Sequence, residues 1–192
     1  MSSTHRGAER KPQDFYATPP ETTRALVRWL DDHQVRVGTA LDPSAGDGAL
    51  LRGILERYHC GTYAYEICDE RRAALAGFCS QVTIGDALTE IPRTDGQHDL
   101  VIANPPYSLA REFITAYRYV GRTSAFLLRL GFLASRSRAP WWAEDPPAHV
   151  LVLPSRPSFT GDGKSDSADY GWIVWRGKTP RGYTRLDWLV TP

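Results

Sequence analysis

The sequence predicts an α/β protein: one mostly parallel, seven-stranded sheet with helices on both faces and a C-terminal antiparallel hairpin. Three observations predict it. Short apolar strands alternate with segments of helical spacing along most of the chain. Leu100-Val101-Ile102-Ala103 is apolar without a break, as a strand must be when both faces of a parallel sheet are covered. Asp42-Pro43-Ser44-Ala45-Gly46-Asp47-Gly48 stands between a strand and a helix, where an open α/β sheet leaves a crevice at its carboxyl edge.

In chain order, residues 1–13 are polar and of mixed charge, with little to bury, and are expected to form a flexible tail. Residues 14–192 then form a single domain, with no separate domain for target recognition. Thr18-Pro19-Pro20-Glu21 reads as a helix start, with Thr18 as N-cap, Pro19 in the first turn and Glu21 closing a capping box; that helix runs to about Asp32. A strand at Thr39–Leu41 leads into the glycine loop and a helix from Ala49 to about Tyr58, where Leu51, Ile54, Leu55 and Tyr58 share a face. The next unit is a strand at Tyr63–Tyr65, a helix over 70–79 and a strand at Val82–Ile84. The apolar strand at Leu100–Ala103 is followed by a helix near Leu109–Tyr119 and a strand at Ala125–Leu130. An irregular Arg- and Trp-bearing stretch precedes a strand at Val150–Leu153. The connection 160–169, rich in Gly, Ser and Asp, is either a loop that closes on substrate or an exposed hairpin connection, and it leads to the last strand at Trp172–Trp175.

Composition narrows the function classes. The 192 residues are 42% apolar, with six Trp, nine Tyr and six Phe, enough to fill the core of one domain. A net charge of +1 says little about a polyanion partner, because phosphate binding depends on local clusters. Two clusters occur: five arginines and no acid from Arg118 to Arg138, and four basic residues and no acid from Tyr170 to Leu186. Each reads equally well as a phosphate-facing surface or a solvated one. Cys60, Cys68 and Cys79 form no C-x-x-C pair, so free thiols in a reducing compartment are expected, with no disulfide and no metal. With no signal-like segment and no apolar run long enough to span a bilayer, a cytoplasmic, membrane-free protein is expected.

Glycines in the 42–48 loop allow close approach of backbone to a ligand. A dinucleotide fingerprint would place a third glycine where Leu51 stands, which argues against NAD. Glu66, ending the second strand, is placed to accept hydrogen bonds from ribose hydroxyls, or is a surface acid beyond a strand. Asp86, ending the third, is placed to accept from an exocyclic amine on an adenine ring, or is a helix cap or turn residue.

Asn104-Pro105-Pro106-Tyr107 terminates the apolar strand; its chance occurrence in a chain of this length is about one in a thousand. Together with the 42–48 loop it resembles the amino-group DNA methyltransferases, whose S-adenosylmethionine loop and catalytic tetrapeptide these segments match. Phe15-Tyr16-Ala17-Thr18-Pro19 resembles the extra cofactor segment those enzymes carry upstream. The likeness is greatest to compact, phage-type adenine-N6 enzymes, to which Arg156-Pro157-Ser158-Phe159 through Asp169-Tyr170-Gly171-Trp172 is also similar. The resemblance implies a Rossmann-like fold, S-adenosylmethionine as cofactor and DNA as partner. It implies that Tyr16, Ala17, Thr18 and Pro19 touch the cofactor's methionine end, and that Asp42, Pro43, Ser44, Ala45, Gly46 and Gly48 lie along its backbone. Glu66 would then meet its ribose and Asp86 its adenine, with Ile67, Ala87 and Asn104 also binding the cofactor.

The catalytic residues so implied are Asn104, Pro105, Pro106 and Tyr107. An adenine amine is a poor nucleophile because its lone pair is delocalised into the ring. Two acceptors, the Asn104 side-chain carbonyl and the Pro105 main-chain carbonyl, can hold both amine hydrogens and localise that pair, and two successive prolines keep the loop stiff. Tyr107 offers a flat face to a base extruded from the duplex. Carbon-5 cytosine chemistry needs a nucleophilic Cys, in that class usually after Pro, whereas Cys60, Cys68 and Cys79 follow His, Ile and Phe. Amino-cytosine enzymes of the family generally carry Ser at the Asn104 position. Phe159, Tyr170, Trp141, Trp142 and Trp172 are candidates for stacking on nucleic acid, with Arg129, Arg136 and Arg138 for phosphates. Asp162 and Asp166 lack calcium-loop spacing.

Without a recognition domain, a short or relaxed target site is expected, or one supplied by a homodimer or a specificity partner. Three competitors remain: protein glutamine methylation, which poses the same lone-pair problem; RNA adenine methylation, since the tetrapeptide reads the base and not the sugar; and a non-catalytic cofactor- or DNA-binding module. The glutamine enzymes usually carry a helical domain upstream, and only about forty residues precede the loop here.

Overall fold

The computed structural model describes residues 17–89, 95–159, 166–177 and 183–189; the expected tail at 1–13, Tyr16 and most of the 160–169 connection lie outside them. The elements run α1 (Pro20–Asp32), β1 (Thr39–Asp42), α2 (Ala49–Leu55), β2 (Gly61–Glu66), α3 (Arg72–Ala76), β3 (Gln81–Ile84), β4 (His98–Ala103) and α4 (Ala110–Tyr117). They continue with β5 (Gly121–Arg129), α5 (Ala139–Glu144), β6 (His149–Val152), β7 (Tyr170–Trp175) and β8 (Arg185–Trp188).

One sheet carries all the described strands in the order β3-β2-β1-β4-β5-β7-β6-β8. The first five run parallel, and β7 is antiparallel to both β5 and β6. The sheet is therefore the expected one plus an eighth strand, since β8 adds to β6 in parallel. Arg-Leu-Asp-Trp is short and charged, and three of its four side chains are exposed, so it lacks the alternation that marks a half-buried strand. The stretch expected to be irregular contains α5, and α2 ends at Leu55, short of Tyr58.

Period-two alternation explains why the central strands are apolar throughout. Leu100 and Ile102 of β4, Ala125 and Leu127 of β5, and Trp172 and Val174 of β7 belong to one core layer with α1 and α2. Val101, Ala103, Phe126, Leu128, Ile173 and Trp175 belong to the opposite layer with α4. Trp172 and Trp175 are fully buried, so Trp172 packs the core; its indole N–H donates to the Thr22 carbonyl (3.1 Å), tying the start of α1 to β7.

Strand order reverses between β1 and β4. These neighbours are parallel, pairing Ala40 with Leu100 and Leu41 with Val101, so both end at the same edge, and their connections lead to opposite sides. That reversal brings the 42–48 loop and Asn104 to the mouth of one crevice although they are far apart in sequence. The loop is fastened to β2 by Ala45 N–H donating to the Tyr65 carbonyl (2.9 Å).

Gly48 starts α2 with φ +82°, and a Cβ there would lie 2.4 Å from Cζ of Phe78. Gly48→Ala combines a left-handed backbone with an overpacked contact and is expected to lower stability by about 2 kcal/mol. Urea melts of the two proteins measure this; coincident midpoints would mean that the turn relaxes freely.

Candidate active site

At the carboxyl ends of β1, β2, β3 and β4 lies a cavity of about 630 Å³, within the usual range for cofactor sites. Its lining brings together Thr18, Asp42, Pro43, Ser44, Ala45, Gly46, Glu66, Ile67, Asp86, Ala87, Asn104, Pro105, Pro106 and Tyr107. Ala17, Pro19 and Gly48 do not line it; Gly48 is spent on the turn and on packing against Phe78 and Leu75. Asp47 of the 42–48 loop lines it too, and Ala49, Leu50, Arg71, Gly85, Ser108, Leu109 and Phe113 line it without having been singled out in the sequence. Leu50, Ser108 and Leu109 follow directly from the two motifs, whereas Arg71 and Phe113 carried no local signal.

Asp42 is 1% exposed, and its Oδ1 accepts from the Ser44 amide (2.9 Å). Burial pushes its carboxyl up to about 7, helped by the negative charges of Glu66 and Asp47 and opposed by the Ser44 hydrogen bonds. Glu66 is also buried: Oε2 accepts from the Gly46 amide (2.7 Å), and Oε1 from the Cys68 amide (2.9 Å) and Arg71 Nη1 (3.3 Å). Glu66 thus braces the glycine loop from beneath. Each carboxylate oxygen has two acceptor directions, so Oε2 retains capacity for a ligand hydroxyl. Asp86 Oδ1 accepts from the Leu88 amide (2.8 Å), the turn role that the sequence left open, while its carboxylate still lines the cavity. Ile67 is 65% exposed at this lining, a large apolar side chain offered to a ligand surface.

Asn104 follows β4 directly. Its Nδ2 donates to Thr18 Oγ1 (3.1 Å), so Thr18 does not cap α1; the N-cap is Pro19, without a side-chain hydrogen bond. Among the described residues, neither Asn104 Oδ1 nor the Pro105 carbonyl accepts a hydrogen bond, whereas the Pro106 carbonyl accepts from the Leu109 amide (2.9 Å). Two unengaged oxygens on consecutive residues therefore stand at the cavity wall.

Tyr107 separates this cavity from a second one of about 340 Å³, which it lines with Arg129, Phe132 and Arg138. The Tyr107 hydroxyl pairs with the Tyr170 hydroxyl, and the Arg129 guanidinium lies 4.5 Å from the Tyr107 ring centre. Arg129 also donates to Tyr170 (2.9 Å) and Asp166 (3.2 Å), and Phe159 packs on Tyr170 at 5.0 Å between ring centres. Burial opposes ionisation of Asp166, but hydrogen bonds from Tyr170 and the Ala168 amide, with the Arg129 charge, outweigh it and hold that carboxyl below its ordinary value. Arg129 thus belongs to a framework that fixes Tyr107. Arg138 donates to the carbonyls of Phe132 (2.8 Å), Ala134 (3.3 Å) and Gly131 (3.5 Å), which engages its guanidinium in closing a turn. Arg136 is exposed and lines neither cavity. Trp141 and Trp142 pack on each other at 4.4 Å between ring centres, and Trp142 stacks on Trp175.

Similar folds are found among solved structures. A Pyrococcus horikoshii protein described as an RNA methyltransferase superposes with TM-score 0.66 at 18% identity, over 90% of this chain and 92% of that one. The M protein of the type I restriction enzyme EcoKI gives 0.59 at 16% identity, over 84% of this chain and 43% of that one. A TehB-like S-adenosylmethionine-dependent methyltransferase of Corynebacterium glutamicum gives 0.50 at 15% identity, over 86% and 89%. The fold is that of the S-adenosylmethionine-dependent methyltransferases. No protein-family model matches the chain. In sequence, the chain is 31% identical over 99 residues to the release factor glutamine methyltransferase of Streptomyces coelicolor, 46% of this chain and 35% of that protein. It thus spans about a third of the length of that curated relative. Within the methyltransferase fold, no helix among the described residues is long and apolar enough to cross a membrane. Nor does any group of three His, Cys, Asp or Glu side chains among them fit a metal ion.

Proposed function

We propose that this chain transfers the methyl group of S-adenosylmethionine to the exocyclic N6 amine of adenine in DNA. The observation that carries the reading is the pair of unengaged oxygens, Asn104 Oδ1 and the Pro105 carbonyl, at the wall of the cavity that Asp42 and Gly46 also line. The lining fits the cofactor. Two buried carboxylates suit a ligand carrying positive charge, a left-handed turn at Gly46 (φ +58°) without a side chain allows close approach, and exposed Ile67 suits a flat ring. When bound, the cofactor supplies an electrophilic methyl on a sulfonium centre.

The chain's own residues then prepare the acceptor. The two oxygens take the hydrogens of an amine, draw its lone pair out of conjugation and stabilise the positive charge that grows on nitrogen; one proton afterwards leaves to solvent. The Tyr107 ring, held by Tyr170 and backed by Arg129, gives a flipped base a rigid stacking face. Tyr107→Ala is expected to raise KM for DNA about tenfold while leaving cofactor affinity unchanged. Titration of DNA and cofactor separately checks this, and equal losses for both would detach Tyr107 from substrate binding.

A second reading, methylation of a protein glutamine amide, draws on the Streptomyces coelicolor relative and uses the same two oxygens. The rigid aromatic face beside a second cavity favours a nucleobase over a flexible glutamine. The deciding assay offers labelled cofactor with duplex DNA, single-stranded DNA, RNA and release-factor protein in parallel. Transfer to adenine in DNA is expected; transfer only to release factor would overturn the proposal, and transfer only to RNA would revise its substrate.

A further inference from the structure

We propose that Thr18 is a positioning residue: its hydroxyl orients the Asn104 carboxamide so that Oδ1 faces the acceptor nitrogen. The inference rests on the reaction proposed above and adds a residue that acts through Asn104. A terminal carboxamide torsion is broad and roughly two-fold, so an untethered Asn offers its NH2 end to a substrate about as readily as its oxygen. Only the oxygen can accept an amine hydrogen. Engaging the NH2 end elsewhere leaves the oxygen free for the substrate, and a single neutral hydrogen bond favours the tethered carboxamide over an untethered one by about 5- to 10-fold.

The structure provides such a bond and the means to hold it. Asn104 Nδ2 donates to Thr18 Oγ1 at 3.1 Å across 86 residues of sequence, and Thr18 is only 6% exposed. The hydroxyl is not spent on capping: α1 starts at Pro20, its N-cap is Pro19 with no side-chain hydrogen bond, and the helix opens with Thr22 N–H on the Pro19 carbonyl (3.0 Å). The backbone around Thr18 is anchored in turn: Thr22 and Thr23 are buried, and the indole of Trp172 holds the Thr22 carbonyl against β7. Sheet, α1, Thr18 and Asn104 thus form one chain of contacts that ends at the reactive oxygen.

The test compares Thr18→Val, Thr18→Ala and Thr18→Ser with the wild type in kcat, KM for DNA, cofactor Kd, Tm and the side-chain amide resonances of Asn104, identified in ¹⁵N spectra by their loss in Asn104→Ala. The Val variant is expected to lower kcat about tenfold with cofactor Kd within about twofold, to shift those resonances and to speed their solvent exchange, while Ser restores all three. If Val melts early, Ala carries the same comparison without added bulk. Wild-type kcat in both apolar variants would overturn the inference. So would a weaker cofactor Kd with kcat intact at saturation, which would place Thr18 in the cofactor cradle, or unchanged Asn104 resonances. If the wild type methylates no DNA, the proposed function fails, and the resonances still decide whether Thr18 orients Asn104.

Discussion

Asn104→Ala is expected to lower kcat for methyl transfer by about a thousandfold while cofactor Kd moves by less than about threefold. Differential binding produces this split. In the ground state an amine hydrogen bonds to Asn104 Oδ1 about as well as it would to water, so removing that oxygen costs little affinity. As the new N–C bond forms, positive charge gathers on nitrogen in a site where the acceptors are already aimed, and there the same oxygen becomes worth far more. The Pro105 carbonyl remains in the variant and accounts for the residual rate. Asn104→Asp keeps an oxygen acceptor and should lose less. Single-turnover kinetics at saturating cofactor separate this effect from binding, and near-normal turnover by the Ala variant would remove Asn104 from the chemistry.

The parts of the site legible in the sequence are those written as contiguous strings. The 42–48 loop and the 104–107 tetrapeptide each contain, within a few residues, the strand end, the glycines or prolines and the polar group that the local geometry needs, and both line one cavity. The fold was legible for a related reason, since alternation of strand and helix dictates a parallel sheet and the continuous apolarity of β4 dictates burial on both faces. What escaped was set by tertiary pairing. Thr18 carries the residues of a helix cap, and only the arrival of β4 beside it turns the hydroxyl to Asn104. Arg138 looked like a phosphate ligand because its arginine-rich neighbourhood contains no acid, yet backbone carbonyls engage it. Glu66 is legible as the end of β2, but its buried bond to the Gly46 amide joins residues 20 apart and has no periodic trace.

Cofactor affinity is expected to rise by about tenfold between pH 6 and pH 8, and Asp42→Asn to abolish that rise and weaken binding about a hundredfold at pH 8. The Asp42 carboxyl is pushed up to about 7 by burial, against an ordinary value of 3.8. Between those values the folded protein retains a proton that the unfolded chain has released, so stability falls as pH climbs from about 4 to about 7 and is level above. Ionised Asp42 is thus a strained state of the ligand-free fold, costing on the order of a few kcal/mol. A ligand bearing positive charge beside the loop relieves that strain and draws the carboxyl back towards its ordinary range. Binding therefore strengthens as the group ionises, and by reciprocity the ligand-bound protein should lose less stability across the same interval. Asn at this position keeps the oxygen that accepts from Ser44 but carries no charge, so the ligand-free variant should melt higher than the wild type at pH 8 even as it binds more weakly. Calorimetric titration with S-adenosylmethionine at pH 6, 7 and 8, paired with melting curves for both proteins, measures the two effects together. A Kd that is flat with pH in the wild type, or an Asn variant that binds as tightly, would show that the loop holds its ligand through shape and backbone amides, with no contribution from the Asp42 charge.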